Sequence, residues 1–310
     1  MAETRIFQEA PGVTRIDHGW GGPGFIASYL VEDGGELALI EAGPASTLDA
    51  LLAGIRAAGH DPAELSHILL THIHLDHAAG AGQLARIAPG AAVHVHPLGA
   101  PHLADPSRLL ASAARLYGDM MDALWGTMLP VSAGRIRTPG DGEAIRVGGR
   151  SLVALETPGH AAHHFAFHDP DSGLVFTGDV GGIRLGRARH VRPPTPPPEV
   201  DTPAWLASIH RLRALEPRML LPTHFGGIDD VAWHLDDLQA RLVDWTRLAD
   251  GHADPEALTD LLRGRADADL LAATGDADLV RRYAQSIPYD MMATGLLRQA
   301  RRRAEAPARA

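Results

Sequence analysis

The sequence of 310 residues contains no cysteine and no lysine. The absence of cysteine excludes disulfide bonds, thiolate nucleophiles and sulfur ligands, so any metal site must use histidine and carboxylate side chains. The absence of lysine excludes Schiff-base chemistry and the lysine-containing phosphate loop. Aromatic residues make up only 5% of the chain, whereas histidine occurs 18 times. The chemistry that remains open therefore centres on histidine, aspartate and glutamate.

The chain also lacks an excess of basic residues and a long apolar run. Its 38 acidic residues outnumber its 28 basic residues, and the formal net charge is -10. Such a chain lacks the positive field with which proteins bind nucleic acid or anionic membranes. No apolar run reaches the roughly 20 residues of a membrane span, and the first twenty residues do not resemble a signal peptide. We therefore predict a cytoplasmic protein that binds a small-molecule substrate, and neither nucleic acid nor a membrane.

Hydrophobic residues make up 45% of the chain, enough for a substantial core. Short apolar runs bounded by glycine-rich turns alternate with segments of helical periodicity, which predicts an α/β fold. We predict one domain over residues 1–250, with a helical insertion near residues 105–130. Residues 251–310 have helical periodicity throughout and are predicted to form a C-terminal helical extension.

Histidine and aspartate side chains follow four of the predicted strands, at the point where each strand ends. The first such segment follows the strand His67–Leu70 and is predicted to be a loop before a helix that starts near Ala78; it contains His72, His74, Asp76 and His77. The other three segments contain His160, Asp179 and His224. In α/β sheets, ligands collect beyond the carboxyl ends of strands. Imidazole and carboxylate groups bind zinc, iron or manganese without thiolate, so the pattern predicts a metal site.

These four segments, in this order, resemble the metal-binding motifs of the metallo-β-lactamase superfamily over roughly residues 10–230. The resemblance implies an αββα sandwich of two mixed β-sheets flanked by helices. It also implies two divalent metal ions, zinc or alternatively iron or manganese. The implied ligands of the first ion are His72, His74 and His160. Those of the second are Asp76, His77 and His224, and Asp179 is implied to bridge both ions.

Two features near these motifs differ from the family pattern. Glu41 stands where the family often has an aspartate that orients a ligand histidine, a role that the longer side chain could also fill. His164 corresponds to a histidine of the family's motif that usually does not bind the metal but lies next to the residues that do. His163 replaces a glycine of the same segment, which leaves the local backbone conformation open.

The resemblance implies hydrolysis by a hydroxide that bridges the two metal ions, with Asp76 as a catalytic proton acceptor. The favoured substrate is a small ester, lactone or thioester. The alternative is an oxidoreductase similar to the persulfide dioxygenases of this superfamily, which use a single iron. A metal-binding scaffold without catalysis is a third hypothesis. Metal analysis distinguishes the first two, because two zinc ions indicate hydrolysis and one iron indicates oxygenation.

Several segments are candidates for a substrate pocket. In residues 106–130, a stripe formed by Leu109, Leu116, Met120, Leu124 and Met128 predicts a helical face packed on a core. A second stripe, formed by Tyr117, Met121 and Trp125, could face the substrate, the Trp20 loop, the C-terminal helices or the second subunit of a homodimer. Trp20 is either a mobile cover or a packed indole. The proline-rich residues 191–198 are either a stiff spacer or a wall of the site.

Seven further histidines lack motif partners and are predicted at the surface or at helix ends. They are His60, His67, His168, His190, His210, His234 and His252.

Overall fold

Twelve β-strands form two sheets within residues 5–305, the part of the chain that the computed structural model describes. The first sheet contains β1 (Arg5–Ala10), β2 (Val13–Asp17), β3 (Ala27–Asp33), β4 (Glu36–Ile40), β5 (His67–Leu69), β6 (Ala92–His94) and β7 (Ile136–Arg137). The second sheet contains β8 (Ala144–Val147), β9 (Arg150–Glu156), β10 (Phe165–Asp169), β11 (Leu174–Phe176) and β12 (Met219–Leu221).

Both sheets are mixed. In the first sheet the strands lie in chain order; β1 to β4 are antiparallel, and β4 to β7 are parallel. In the second sheet the order is β12-β11-β10-β9-β8, and only the β11–β12 pair is parallel. Parallel neighbours require crossover connections, which the helices between these strands provide.

The side chains of both sheets alternate between two apolar layers. On β3, Tyr29 and Val31 face the core between the sheets, whereas Leu30 faces the helices on the outer side. On β10, Phe165 and Phe167 face the same central core, with Ala166 on the outer side. Strands that are covered on both faces have mostly apolar residues at successive positions of their sequence. This arrangement confirms the predicted αββα sandwich.

Helices cover the outer face of each sheet. On the first sheet lie α1 (Leu48–Ala57), α2 (Leu75–Ala78), α3 (Ala81–Ile87), α4 (Ala100–Ala104), α5 (Ser107–Tyr117) and α6 (Met121–Trp125). On the second sheet lie α7 (Thr202–Ala214) and α8 (Val231–Asp250). The helices α5 and α6 lie between β6 and β7, where the sequence predicts an insertion.

Three further helices follow α8, as the sequence predicts: α9 (Pro255–Thr274), α10 (Ala277–Ser286) and α11 (Tyr289–Glu305). They share an apolar core with the end of α8 and with residues 183–200. Residues 306–310 of the predicted extension lie outside the described residues. The division into domains at residue 250 stays a prediction. None of the helices described is both long and apolar enough to span a membrane.

The structure corrects the first apolar stripe of the insertion. Leu109 and Leu124 pack against the core, but Leu116 is 46% exposed and Met120 is 53% exposed. The prediction placed all five residues on one helical face. The helix α5 ends at Tyr117, however, and the next residue, Gly118, has a φ of 50°. After this break, Met120 no longer shares the helical face of Leu109. Leu116 lies in α5 before the break and lines a cavity rather than the core.

Two of the histidines predicted at the surface or at helix ends, His190 and His234, are instead fully buried. His234 lies on the face of α8 that packs against the second sheet, and its Nε2 donates a hydrogen bond to the carbonyl of Gly181 at 2.7 Å. A histidine with one ring nitrogen hydrogen-bonded can occupy an apolar helix face, so the absence of motif partners does not indicate exposure.

Candidate metal centre

The residues predicted as metal ligands converge at one edge of the sandwich. His72 and His74 follow β5, His160 follows β9, Asp179 follows β11 and His224 follows β12. The sequence predicts a loop for Asp76 and His77, but both residues lie in α2. This helix begins early because the carbonyl of His74 accepts the N–H groups of His77 and Ala78, both at 3.0 Å.

The first ligand group consists of His72, His74 and His160. The Nδ1 atom of His74 lies 2.9 Å from the Nε2 atom of His72 and 2.9 Å from that of His160. Ligand atoms around a tetrahedral zinc ion, at about 2 Å from it, lie about 3.3 Å apart. The three nitrogens are therefore spaced to hold one ion.

The second ligand group consists of Asp76, His77 and His224. The Oδ2 atom of Asp76 lies 3.6 Å from the Nε2 atom of His77 and 3.4 Å from that of His224. All three ligand atoms lie within 4.8 Å of one another. This group is a second possible site for one ion.

Asp179 lies between the two groups. Its Oδ2 atom is 3.3 Å from the Nε2 atom of His160 in the first group. Its Oδ1 atom is 3.2 Å from the Nε2 atom of His77 and 3.3 Å from that of His224 in the second group. One carboxylate oxygen thus faces each group.

The two ligand groups and Asp179 together form one cluster. Three of its buried atoms lack hydrogen-bond partners among residues 5–305: Nε2 of His77, Nε2 of His224 and Oδ1 of Asp179. Buried polar atoms without partners are costly. A divalent cation bound by these lone pairs would satisfy them, and histidine with aspartate is the ligand set for such an ion without thiolate. The residues therefore fit the metal that the motifs predict.

Hydrogen bonds behind the ligands orient the imidazole rings. The Nδ1 atom of His160 donates to the carbonyl of Pro194 at 2.8 Å, and that of His224 donates to the carbonyl of Phe25 at 2.8 Å. In the neutral form of each ring Nδ1 carries this proton, so Nε2 can present its lone pair to a cation.

Glu41 connects several of these elements. Its Oε1 atom accepts hydrogen bonds from Nδ1 of His77 at 3.0 Å, from the hydroxyl of Thr71 at 2.5 Å and from that of Thr223 at 3.0 Å. The hydroxyl of Thr71 in turn accepts from Nδ1 of His72 at 3.0 Å. The sequence predicts Glu41 for such a position but misses both threonines. Their signal is that each directly precedes a ligand histidine.

The charges of the cluster suit a cation. Burial opposes ionisation of Asp76, but the charges of His77 and His224 outweigh it and lower the pKa of Asp76 to about 2. Burial also opposes protonation of His224, but Asp179 outweighs it and raises the pKa of His224 to about 10. Burial lowers the pKa of His72 well below its usual range. The carboxylates are therefore ionised, and they attract positive charge.

His164 positions the loop that contains Asp179. Its Nδ1 atom donates to the hydroxyl of Thr157 at 2.9 Å, and its Nε2 atom accepts from the backbone N–H groups of Asp179 at 3.2 Å and Val180 at 3.4 Å. The neighbouring His163 does not adopt a positive φ. The chain therefore accommodates histidine in place of the family's glycine with an ordinary backbone.

A cavity of about 360 Å³ opens beside the cluster, and His74, Asp76 and Asp179 line one end of it. Trp20 and Trp125 line it too, and their rings stack at 5.4 Å between centroids with an interplanar angle of 8°. The Nε1 atom of Trp20 donates to the carbonyl of Leu124 at 2.8 Å. Trp20 is therefore a packed indole that also forms a cavity wall.

Two other segments complete this cavity. Residues 196–198 of the proline-rich segment line it, so they form a wall. Residues 285–288 and 290–291, from the end of α10 to the start of α11, also line it. The hydroxyl of Tyr117, on the second apolar stripe, lies 3.7 Å from the sulfur of Met291. Of the partners left open for this stripe, the structure shows Trp20, the C-terminal helices and the cavity.

Relatives with known names match about two thirds of the chain. A hydroxyacylglutathione hydrolase from Cereibacter sphaeroides (strain ATCC 17029 / ATH 2.4.9) is 35% identical over 196 residues, which cover 63% of this chain and 60% of that protein. An atrochrysone carboxyl ACP thioesterase from Aspergillus fumigatus is 27% identical over 215 residues, covering 67% of this chain and 39% of that protein. The matches thus span about 60% or less of these two relatives.

Solved structures and the family comparison agree on the fold. A metallo-beta-lactamase family protein from Thermus thermophilus superposes with a TM-score of 0.72 at 22% identity, covering 96% of this chain and 95% of that one. Residues 21–224, about two thirds of the chain, match the family described as the metallo-beta-lactamase superfamily. Because this match covers more than half of the chain and contains all seven ligand candidates, the chain belongs to the metallo-beta-lactamase superfamily.

Proposed function

We propose that this protein is a hydrolase that uses two divalent metal ions to cleave a small ester, lactone or thioester. The observation that carries the proposal is the position of Asp179, whose Oδ2 lies 3.3 Å from His160 and whose Oδ1 lies 3.2 Å from His77. A single ion would use only one of these oxygens and one ligand group. Relatives named hydroxyacylglutathione hydrolase and carboxyl ACP thioesterase support the hydrolysis of an acyl bond.

The ligands are assigned by their position in the two groups. His72, His74 and His160 would hold one ion; Asp76, His77 and His224 would hold the other; Asp179 would contact both. Zinc suits this set of nitrogen and oxygen ligands, while iron and manganese accept the same ligand types. Bound there, such ions lower the pKa of water and polarise a carbonyl group.

Asp76 is the carboxylate that we assign to proton transfer. Its side chain is 19% exposed and lines the cavity, whereas that of Asp179 is only 3% exposed. With a pKa lowered to about 2, Asp76 is ionised at neutral pH. The oxygen of its carboxylate that does not hold the ion can therefore accept the proton that the attacking water loses and return it to the departing alcohol or thiol.

The cavity supports a small molecule as the substrate, since about 360 Å³ lies within the range of small-molecule sites. A cytoplasmic location and a homodimer stay predictions.

Elemental analysis of protein purified without added metal tests the proposal, together with hydrolysis of an acetyl thioester. We expect two equivalents of zinc per chain. In Asp179→Asn, loss of the shared charge should weaken metal binding at least roughly tenfold and reduce kcat/KM by about a hundredfold or more. Asp171→Asn, an exposed aspartate in a turn, is the matched control. A single equivalent of iron without hydrolysis would instead support the dioxygenase alternative.

A further inference from the structure

The cavity beside the metal centre is walled mainly by apolar side chains from two distant parts of the chain. The insertion contributes Leu109, Leu116 and Met120. The C-terminal extension contributes Ile287 and Pro288, between α10 and α11, and Met291 on α11. Leu116 and Met120 are 46% and 53% exposed. Exposed large apolar side chains that line one cavity would be covered by an apolar ligand, and this burial is favourable. Methionine side chains also adapt to ligands of different shape.

The charged groups that line the cavity are all acidic. No arginine among residues 5–305 lines it, and the chain has no lysine. The charged residues that line it are Asp76 and Asp179 of the metal centre and Asp290 at the start of α11. An anionic group on a substrate would therefore find no cationic partner among these lining residues outside the metal centre, and would lie near the carboxylate of Asp290. Such an arrangement rejects negative charge.

We propose that the substrate is an ester or thioester whose acyl group is apolar and uncharged, and that this acyl group lies between α5–α6 and residues 285–291. The inference rests on the proposed hydrolytic function and adds the substrate class. The candidate substrates share an acyl group, while their leaving groups differ. The acyl group is thus the part that one fixed apolar cavity can recognise.

The length and the charge of the substrate's acyl group should both affect turnover. Burial of each methylene group contributes roughly a fourfold gain in binding, so the four additional methylenes of a hexanoyl group should raise kcat/KM at least about tenfold over acetyl. A glutaryl group has similar length but ends in a carboxylate. We expect its kcat/KM to be at least about tenfold lower than that of hexanoyl, because the carboxylate loses its hydration without gaining a partner.

The test uses the full-length, metal-loaded protein and thioesters of N-acetylcysteamine, a small uncharged thiol. The acetyl, hexanoyl and glutaryl thioesters are compared by thiol release. Ser112 lines the cavity and is half-buried, whereas the adjacent Ala111 is exposed and does not line it. Ser112→Trp should reduce the preference for hexanoyl over acetyl about fivefold or more by filling space. Ser112→Arg should raise the glutaryl-to-hexanoyl ratio about tenfold by supplying the missing cation.

Ala111→Trp and Ala111→Arg are the matched controls and should leave both ratios unchanged. The proposal would be overturned if the wild type hydrolysed hexanoyl no faster than acetyl, or glutaryl as fast as hexanoyl. It would equally be overturned if the Ser112 and Ala111 variants changed the ratios alike.

A binding measurement separates this inference from the proposed hydrolysis. Trp20 and Trp125 line the cavity, so their fluorescence should respond to a ligand there. We expect N-butylhexanamide, which is not hydrolysed, to change the fluorescence at concentrations at least about tenfold lower than the corresponding glutaric acid monoamide. Failure of all thioester hydrolysis with this binding preference intact would contradict only the hydrolytic function. Equal binding of the two amides would contradict the acyl-group assignment itself.

Discussion

At the scale of single residues, the carboxylate of Glu41 joins three strand ends. It accepts hydrogen bonds from Thr71 after β5, from His77 in α2 and from Thr223 after β12. Glu41 itself follows β4, is 1% exposed and has a φ of 67°. A residue with a Cβ atom seldom adopts such a backbone unless its surroundings hold it there. The hydrogen bonds of its carboxylate provide that constraint.

We predict that Glu41→Gln weakens metal binding about tenfold to a hundredfold, the usual effect of losing a group that orients a ligand. The amide keeps the shape of the side chain but removes the negative charge that faces Nδ1 of His77. Competition titrations with a chelator measure the affinity. Glu32→Gln, at a half-buried position near the end of β3, is the control. Equal affinities in the two variants would contradict the role of Glu41.

At the scale of elements, the side chain of Arg192 connects the C-terminal helices α9–α11 to the sandwich. Its side chain is fully buried and donates hydrogen bonds to the carbonyl of Tyr283 on α10 and to the hydroxyl of Tyr289 on α11. The guanidinium also lies 4.4 Å from the ring centroid of Tyr289 and 3.9 Å from a carboxylate oxygen of Asp267 on α9. One residue thus contacts all three helices.

We predict that Arg192→Met lowers the free energy of unfolding by roughly 2–4 kcal/mol, because buried polar partners lose their donor. Urea unfolding measures this change, and limited proteolysis tests whether cleavage begins in α9–α11. Arg187→Met, an exposed arginine in the same segment, is the control and should stay within about 0.5 kcal/mol of the wild type. Uniform protection of α9–α11 in Arg192→Met would show that other contacts hold these helices.

At the scale of the whole molecule, buried neutral histidines connect stability to pH. Burial lowers the pKa of His234 to about 4. In the unfolded chain its pKa is near 6.5, so between these two values the unfolded state binds a proton that the folded state does not. The stabilisation by the neutral ring is therefore complete above about pH 6.5 and is lost as the pH falls toward 4.

We predict that His234→Gln reduces the loss of unfolding free energy between pH 7 and pH 5 by about 2 kcal/mol relative to the wild type. Glutamine can still donate a hydrogen bond to the carbonyl of Gly181 but does not titrate. Urea unfolding at both pH values, for both proteins under the same conditions, measures the difference. Parallel losses in the two proteins would show that other groups cause the acid sensitivity.

The sequence pattern was sufficient for an α/β fold and for the candidate ligands, and the resemblance of the four motif segments to the metallo-β-lactamase superfamily implied the αββα arrangement. The strands of a doubly covered sheet leave a local signal, namely short apolar runs between turns. The ligand candidates also leave a local signal, because histidine and aspartate directly follow those strands. Where the local signal was interrupted, the prediction failed. Gly118 follows the end of α5, so Met120 does not share the helical face of Leu109.

Contacts between distant segments were decided only by the tertiary structure. Tyr117 and Met291 are 174 positions apart, yet they meet beside the cavity, and Glu41 accepts from Thr223 across 182 positions. No periodicity or spacing records such pairs, because each side chain satisfies its local pattern whether or not the partner is present. The packing of whole elements brings them together. The candidate ligands could therefore be proposed from the chain, together with Glu41 and single cavity residues such as Trp20. The assembled cavity and the two threonines behind the candidate ligands required the fold.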